Sequence, residues 1–147
     1  MVTEDGPKVI EYNVRLGDPE TQVVLPRLET DFAKLITKAI NHEELPEIKE
    51  SSKKTLGVVV CANGYPAHPI HDALIGKLPA SDNVVIDYAN VKGSLDNLIG
   101  DGGRLFMAIS ESDSLVKAQD NVYSYLGQLN LSDCFYRHDI GNRALKK

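Results

Sequence analysis

The sequence predicts an α+β chain, on three observations. Residues 8–16 (KVIEYNVRL) alternate polar and apolar, the period of a half-buried strand. Residues 55–62, 83–89 and 104–110 are short β-rich runs bounded by turn residues. One long amphipathic stripe follows the last of these runs, and strands succeeded by a helix in this way indicate an α+β domain.

In the first run Val9, Glu11, Asn13 and Arg15 share one face, while Ile10, Tyr12, Val14 and Leu16 share the other. Gly17-Asp18-Pro19 ends it with a turn, and a short helix is expected over residues 20–24. Thr30 is placed to cap a further helix, whose apolar positions Phe32, Leu35, Ile36, Ala39 and Ile40 recur at three- and four-residue spacing; Asp31 suits its first turn. From residue 41 to 54 the chain is polar, contains a proline and has no sustained period. The domain division is therefore placed there, with a first unit over 1–45, a linker over 46–54 and a second unit over 55–147.

The second unit opens with the run 55–62, closed by Asn63-Gly64 and Pro66. Asp101-Gly102-Gly103 introduces the run 104–110. It reads as a hairpin turn rather than a phosphate cradle, because it lacks the P-loop lysine and precedes a strand. Ser112 or Ser114 then opens a helix with Leu115, Ala118, Val122, Tyr125, Leu126 and Leu129 on one stripe.

Composition excludes several function classes. With 147 residues, 42% of them hydrophobic and 25% charged, the chain is long enough to bury a core. No window is apolar enough to span a membrane and the N-terminus is acidic rather than signal-like, so a cytoplasmic protein is expected. Cys61 and Cys134 stand far apart, which supports neither a disulfide framework nor a paired-cysteine zinc motif. A net charge of −5, with scattered basic residues, argues against nucleic-acid binding.

The segment richest in chemistry is 11–21, EYNVRLGDPET. The carboxylate of Glu11 and the amide oxygen of Asn13 are hard ligands of the kind Mg²⁺ accepts, and Arg15 can grip two oxygens of a phosphoryl or acyl-phosphate group. Spacing alone is better served by a solvated strand face with a surface pair between Glu11 and Arg15, and does not by itself establish function. Arg137 and Arg143 either reach a phosphate or pair with Asp133 and Asp139. His68 and His71, near Cys61, do not make a zinc site, because a proline separates them and a fourth ligand is missing.

Glu11-x-Asn13-x-Arg15 resembles the metal-binding strand of the ATP-grasp ligases. Its continuation, Arg15-Leu16-Gly17-Asp18-Pro19-Glu20-Thr21-Gln22-Val23, is similar to the signature run of the phosphoribosylamine–glycine ligase family. Gly64-Tyr65-Pro66, Gly102-Gly103-Arg104 and the run from Tyr136 to Leu145 resemble the C-terminal domain of that family, in the same order. Residues 67–100 resemble it less.

The resemblance implies that residues 1–45 are the end of an ATP-grasp domain and 55–147 a small mixed α/β C-terminal domain, with a β-rich sheet and one long helix. It also implies that the N-terminal portion of the ligase lies outside this sequence and that the truncated chain is inactive alone. The implied activity joins glycine to 5-phosphoribosylamine with ATP, through glycyl phosphate, to give glycinamide ribonucleotide in purine biosynthesis. Glu11 and Asn13 would hold Mg²⁺ or Mn²⁺, Arg15 would be catalytic, and Asp18, Glu20, Thr21, Arg137 and Arg143 would bind substrate. The alternatives are a non-catalytic docking module of a split ligase, or a fragment of another ATP-grasp carboxylate–amine ligase.

Overall fold

The computed structural model describes residues 1–146. It is a mixed α/β structure with several antiparallel sheets and few helices, as the composition of its β-rich runs requires. Strands β1 (Val2–Thr3) and β2 (Gly6–Pro7) make a small antiparallel hairpin. The strand expected over residues 8–16 is not formed. Val9, Ile10, Tyr12 and Val14 are exposed, and no described strand pairs with this segment. An alternating sequence holds a strand only when a neighbour completes its hydrogen-bond ladder and something covers its apolar face. Neither is available within the described residues.

Helix α1 (Thr21–Val24) forms as expected and runs into a 3₁₀ turn at Leu25–Arg27, tightened by Pro26 near its start. Helix α2 (Phe32–Ile40) is also as expected, but its cap is Asp31, whose side chain accepts from the Lys34 amide at 3.0 Å. Thr30 has another partner set: its hydroxyl donates to the Glu47 carbonyl at 3.3 Å and accepts from the Lys49 amide at 2.7 Å. The polar stretch after α2 is thereby tied back to the chain before it. Arg27 adds contacts to Glu50 and to the Ser51 and Lys53 carbonyls, each at 3.2 Å.

The second unit follows as β3 (Lys54–Ala62), β4 (Leu74–Gly76), β5 (Val85–Tyr88), β6 (Val91–Ser94), β7 (Asn97–Gly100), β8 (Arg104–Ser112), α3 (Leu115–Leu126), β9 (Cys134–Tyr136) and α4 (Asn142–Leu145). A four-stranded sheet has the order β5-β8-β3-β9, and a three-stranded sheet the order β4-β7-β6. The expected strands over 55–62, 83–89 and 104–110 are β3, β5 and β8, and Ser114 caps α3 by accepting from the Lys117 amide at 3.2 Å. The Asp101-Gly102-Gly103 turn is not a hairpin, because it carries the chain from one sheet to the other: β7 pairs with β4 and β6, whereas β8 pairs with β3 and β5.

The core lies between α3 and the larger sheet. Leu56, Val58 and Val60 alternate along β3 toward Ala118, Val122, Tyr125 and Leu126 of α3, so period 2 meets period 3.6 across one apolar layer. Strand β8 is buried continuously from Leu105 to Ser110, the pattern of a strand covered on both faces. On the face away from α3, Val23 of α1 approaches Gly57 closely, since a methyl there would lie 3.0 Å from its Cγ1. The signature segment is thus seated on β3. Removing the Phe106 ring from this core would cost about 3–5 kcal/mol, a large part of the roughly 5–15 kcal/mol that stabilises a domain.

Candidate functional site

The signature run leaves the sheet by way of the turn at Gly17–Glu20, and this turn is tightly organised. Asp18 is held at three points. One carboxylate oxygen meets the Arg104 guanidinium at 3.0 Å, the other accepts from the Gln22 amide at 2.9 Å, and its carbonyl accepts from Arg104 Nη1 at 2.9 Å. The Asp18–Pro19 peptide is cis. Glu20 stands at the start of α1 and lays its carboxylate over Gly17, where a side chain would collide with it. The Thr21 hydroxyl donates to the Gly17 carbonyl, as does its amide at 3.0 Å. These bonds are local to the sequence, and glycine, proline and threonine at these places favour such a turn.

Upstream of the turn, Glu11, Asn13 and Arg15 are exposed. Arg15 turns its guanidinium onto the carbonyl of Leu16 at 3.0 Å, and a pair between Glu11 and Arg15 is not among the ion pairs of the described residues. With no ladder, the backbone does not impose a common face on the three side chains. Their chemistry suits a divalent cation nonetheless: a carboxylate and an amide oxygen are two hard donors of the six or so that Mg²⁺ takes. Among the described residues no group of three or more His, Cys, Asp or Glu side chains gathers to complete such a set.

Beside the turn lies a cavity of about 400 Å³. Pro19 forms one wall, β3 contributes Gly57 and Val59, and Tyr65, Pro66 and Phe135 close it; Arg104 and Arg137 stand among these apolar groups. Arg137 is bonded bidentately to Asp139 at 2.9 and 2.7 Å. That hydrogen-bonded pairing, with help from Arg143, holds the Asp139 carboxyl below its usual range, while Arg137 is held above its own. Among the described residues Asp133 pairs with no arginine; it accepts from the Leu74 amide at 3.0 Å. Arg143, in α4, lines a separate cleft of about 530 Å³ with Arg137, Asn142 and Lys146.

Helix α3 fixes the backbone of this C-terminal loop. The Tyr123 hydroxyl donates to the Arg137 carbonyl at 2.8 Å and accepts from the Ile140 amide at 3.0 Å, and Gln119 donates to the Ile140 carbonyl at 2.7 Å. The sequence-predicted residues therefore fall into three places: an exposed segment with Glu11, Asn13 and Arg15, the clamped turn with Asp18, Glu20 and Thr21, and the C-terminal loop with Arg137 and Arg143. Arg104 and the aromatic wall of the cavity were missed as site residues. Their signal was present in Gly64-Tyr65-Pro66 and Gly102-Gly103-Arg104, whose spacing gives no hint that the fold brings them to the signature turn.

Comparison with known proteins fits this geometry. Residues 55–143 match the family model described as phosphoribosylglycinamide synthetase, C domain. The chain is 44% identical over 147 residues to a phosphoribosylamine–glycine ligase of Listeria monocytogenes serotype 4b, covering 98% of this chain and 35% of that protein. A Streptococcus pneumoniae R6 protein of the same name is 42% identical over 151 residues, covering 99% of this chain and 35% of its own length. The crystal structure of phosphoribosylamine–glycine ligase from Thermotoga maritima superposes with a TM-score of 0.77 at 26% identity, over 95% of this chain and 34% of that one. The chain thus spans about a third of the length of the curated relatives it matches, and it belongs to the phosphoribosylglycinamide synthetase family, whose C domain it carries over residues 55–143.

Proposed function

We propose that this chain is the C-terminal portion of an ATP-dependent ligase that joins glycine to 5-phosphoribosylamine. The observation that carries the reading is the seating of the second half of the signature run, through Asp18 and α1, on a domain of the matching family. Residues 1–45 are then the end of an ATP-grasp domain, 46–54 its link to the C domain, and the exposed apolar side chains of 9–16 and α2 the surface that the preceding part of the ligase covers. That part would also supply the neighbouring strand that residues 8–16 lack. A cytoplasmic location belongs to the same reading.

The chemistry follows from charge. The glycine carboxylate attacks the terminal phosphorus of ATP to give glycyl phosphate and ADP; the amine of phosphoribosylamine then attacks the acyl carbon and phosphate leaves. Glu11 and Asn13 would hold Mg²⁺ or Mn²⁺, which neutralises charge on the transferring phosphates. Arg15 presents a planar fork to the phosphoryl oxygens or to the tetrahedral oxyanion, where fixed positive charge lowers the barrier. Asp18, Glu20 and Thr21 would bind substrate at the turn, Arg137 would reach it from the cavity beside the turn, and Arg143 would bind it from the separate cleft at α4.

The test is a chimera in which this chain replaces the C-terminal third of the Listeria ligase. It should form ADP with continuous turnover only with both glycine and phosphoribosylamine present, whereas the 147-residue chain alone should form none. Glu11→Gln in the chimera should raise the Mg²⁺ concentration needed for half-maximal rate, since a neutral amide is a poorer ligand for a hard cation. An unchanged Mg²⁺ dependence would remove Glu11 from the metal site.

A further inference from the structure

We infer that Arg104 is a positioning residue: it clamps the Gly17–Glu20 turn to the start of β8 and so fixes the direction in which the signature segment leaves the C domain. The inference rests on the proposed reading for its functional meaning, but its geometry stands alone. Arg104 grips Asp18 twice, once at the carboxylate at 3.0 Å and once at the main-chain carbonyl at 2.9 Å, across 86 residues of sequence. A surface ion pair by itself contributes little. A guanidinium that engages both a side chain and the backbone of one residue fixes orientation as well as distance.

The local fold is built to aim this side chain. Opposite Arg104 the β3–β8 register shifts between Val60 and Cys61, an irregularity of the kind that redirects a strand residue. The turn before it admits only glycine. A Cβ on Gly102 would lie 2.8 Å from Cβ of Asn90, and one on Gly103 would run into the Tyr65 ring. Asn90 in turn donates from its side chain to the Arg104 carbonyl at 3.0 Å, and Ala62 bonds the Gly103 carbonyl at 2.8 Å. The Gly102-Gly103-Arg104 motif thereby acquires a structural purpose: its two glycines let Arg104 reach the turn.

Amide hydrogen exchange on the 147-residue chain tests this without any ligase assay, so a failed chimera and a failed clamp are distinguishable. Arg104→Ala should speed exchange of the Thr21, Val23 and Val24 amides, which bond back to Gly17 and Glu20, by on the order of tenfold or more. The Val58 and Val60 amides of β3 should keep their protection. Arg104→Lys, which keeps the charge but not the fork, should fall between, and Asp18→Asn, which spares the carbonyl contact, should also be intermediate. Arg104→Ala combined with Asp18→Asn should be no faster than Arg104→Ala alone, because one clamp cannot be broken twice. Unchanged α1 exchange in an intact Arg104→Ala chain, or additive effects in the double variant, would overturn the inference. Should Arg104→Ala unfold the sheet, the graded response of Arg104→Lys and Asp18→Asn decides: wild-type exchange in both refutes the clamp.

Discussion

Cys134 sits at the start of β9 and is buried against the core, with Asp133 and Cys61 close by; burial first, then these neighbours, push its thiol from an ordinary 9.0 up to about 11. Burial raises Cys61 as well, against the opposing pull of Arg104. Both thiols are therefore neutral in the folded chain where an unfolded thiol has begun to ionise. Between about pH 9 and 11 the unfolded state has lost a proton that the folded state keeps, so stability falls as pH rises through that window. Iodoacetamide at pH 8 should alkylate the folded chain many times more slowly than the urea-unfolded chain, measured by intact mass; equal rates would mean that the thiols are accessible. At this scale the sequence was most informative where chemistry is local. Gly17-Asp18-Pro19 reads as a turn and forms one, and Ser114, one of two candidates, caps its own helix. It was uninformative where the partner is remote: nothing near Gly141 says that it has φ +87° with Leu56 so close that a Cβ would lie 2.6 Å from its Cδ1.

Among the elements, legibility followed length and burial. Strands β3 and β8 and helices α2 and α3 carry long patterns and lie against the core or show one clear stripe, so their positions could be read directly. Strands β4, β6, β7 and β9 are three or four residues long, too short for a period to show, and β4, β6 and β7 contain glycine. Residues 8–16 are the opposite case, a strong period without a partner to realise it. Brief trypsin treatment should therefore cut at Lys8 and Arg15 well before any site in β3 or β8, because a cleavable segment must leave its surroundings to enter a protease and this one is already exposed and unpaired. Mass spectrometry of the early fragments reads the order. Persistence of the 8–16 segment in the resistant core would show that it is paired in solution.

For the whole molecule, the two sheets and α3 build a platform with its own core, and the signature turn is docked on the face of the larger sheet away from α3. The family's order of motifs along the chain was visible in the sequence, whereas their meeting was not, because a fold that brings Pro19, Tyr65, Arg104 and Phe135 around one cavity joins positions more than a hundred residues apart. In the proposed ligase, Arg15 would act on a reacting phosphoryl or acyl centre once the preceding part of the enzyme covers its segment. Steady-state kinetics of the chimera carrying Arg15→Lys decide whether it does. If Arg15 acts on the transition state, kcat should fall on the order of 10²-fold, as when an oxyanion-stabilising donor is lost, while the apparent affinity for ATP stays nearly constant. A chimera with Arg15→Lys that keeps its normal kcat would contradict the account and leave Arg15 as an exposed side chain bonded to the neighbouring carbonyl.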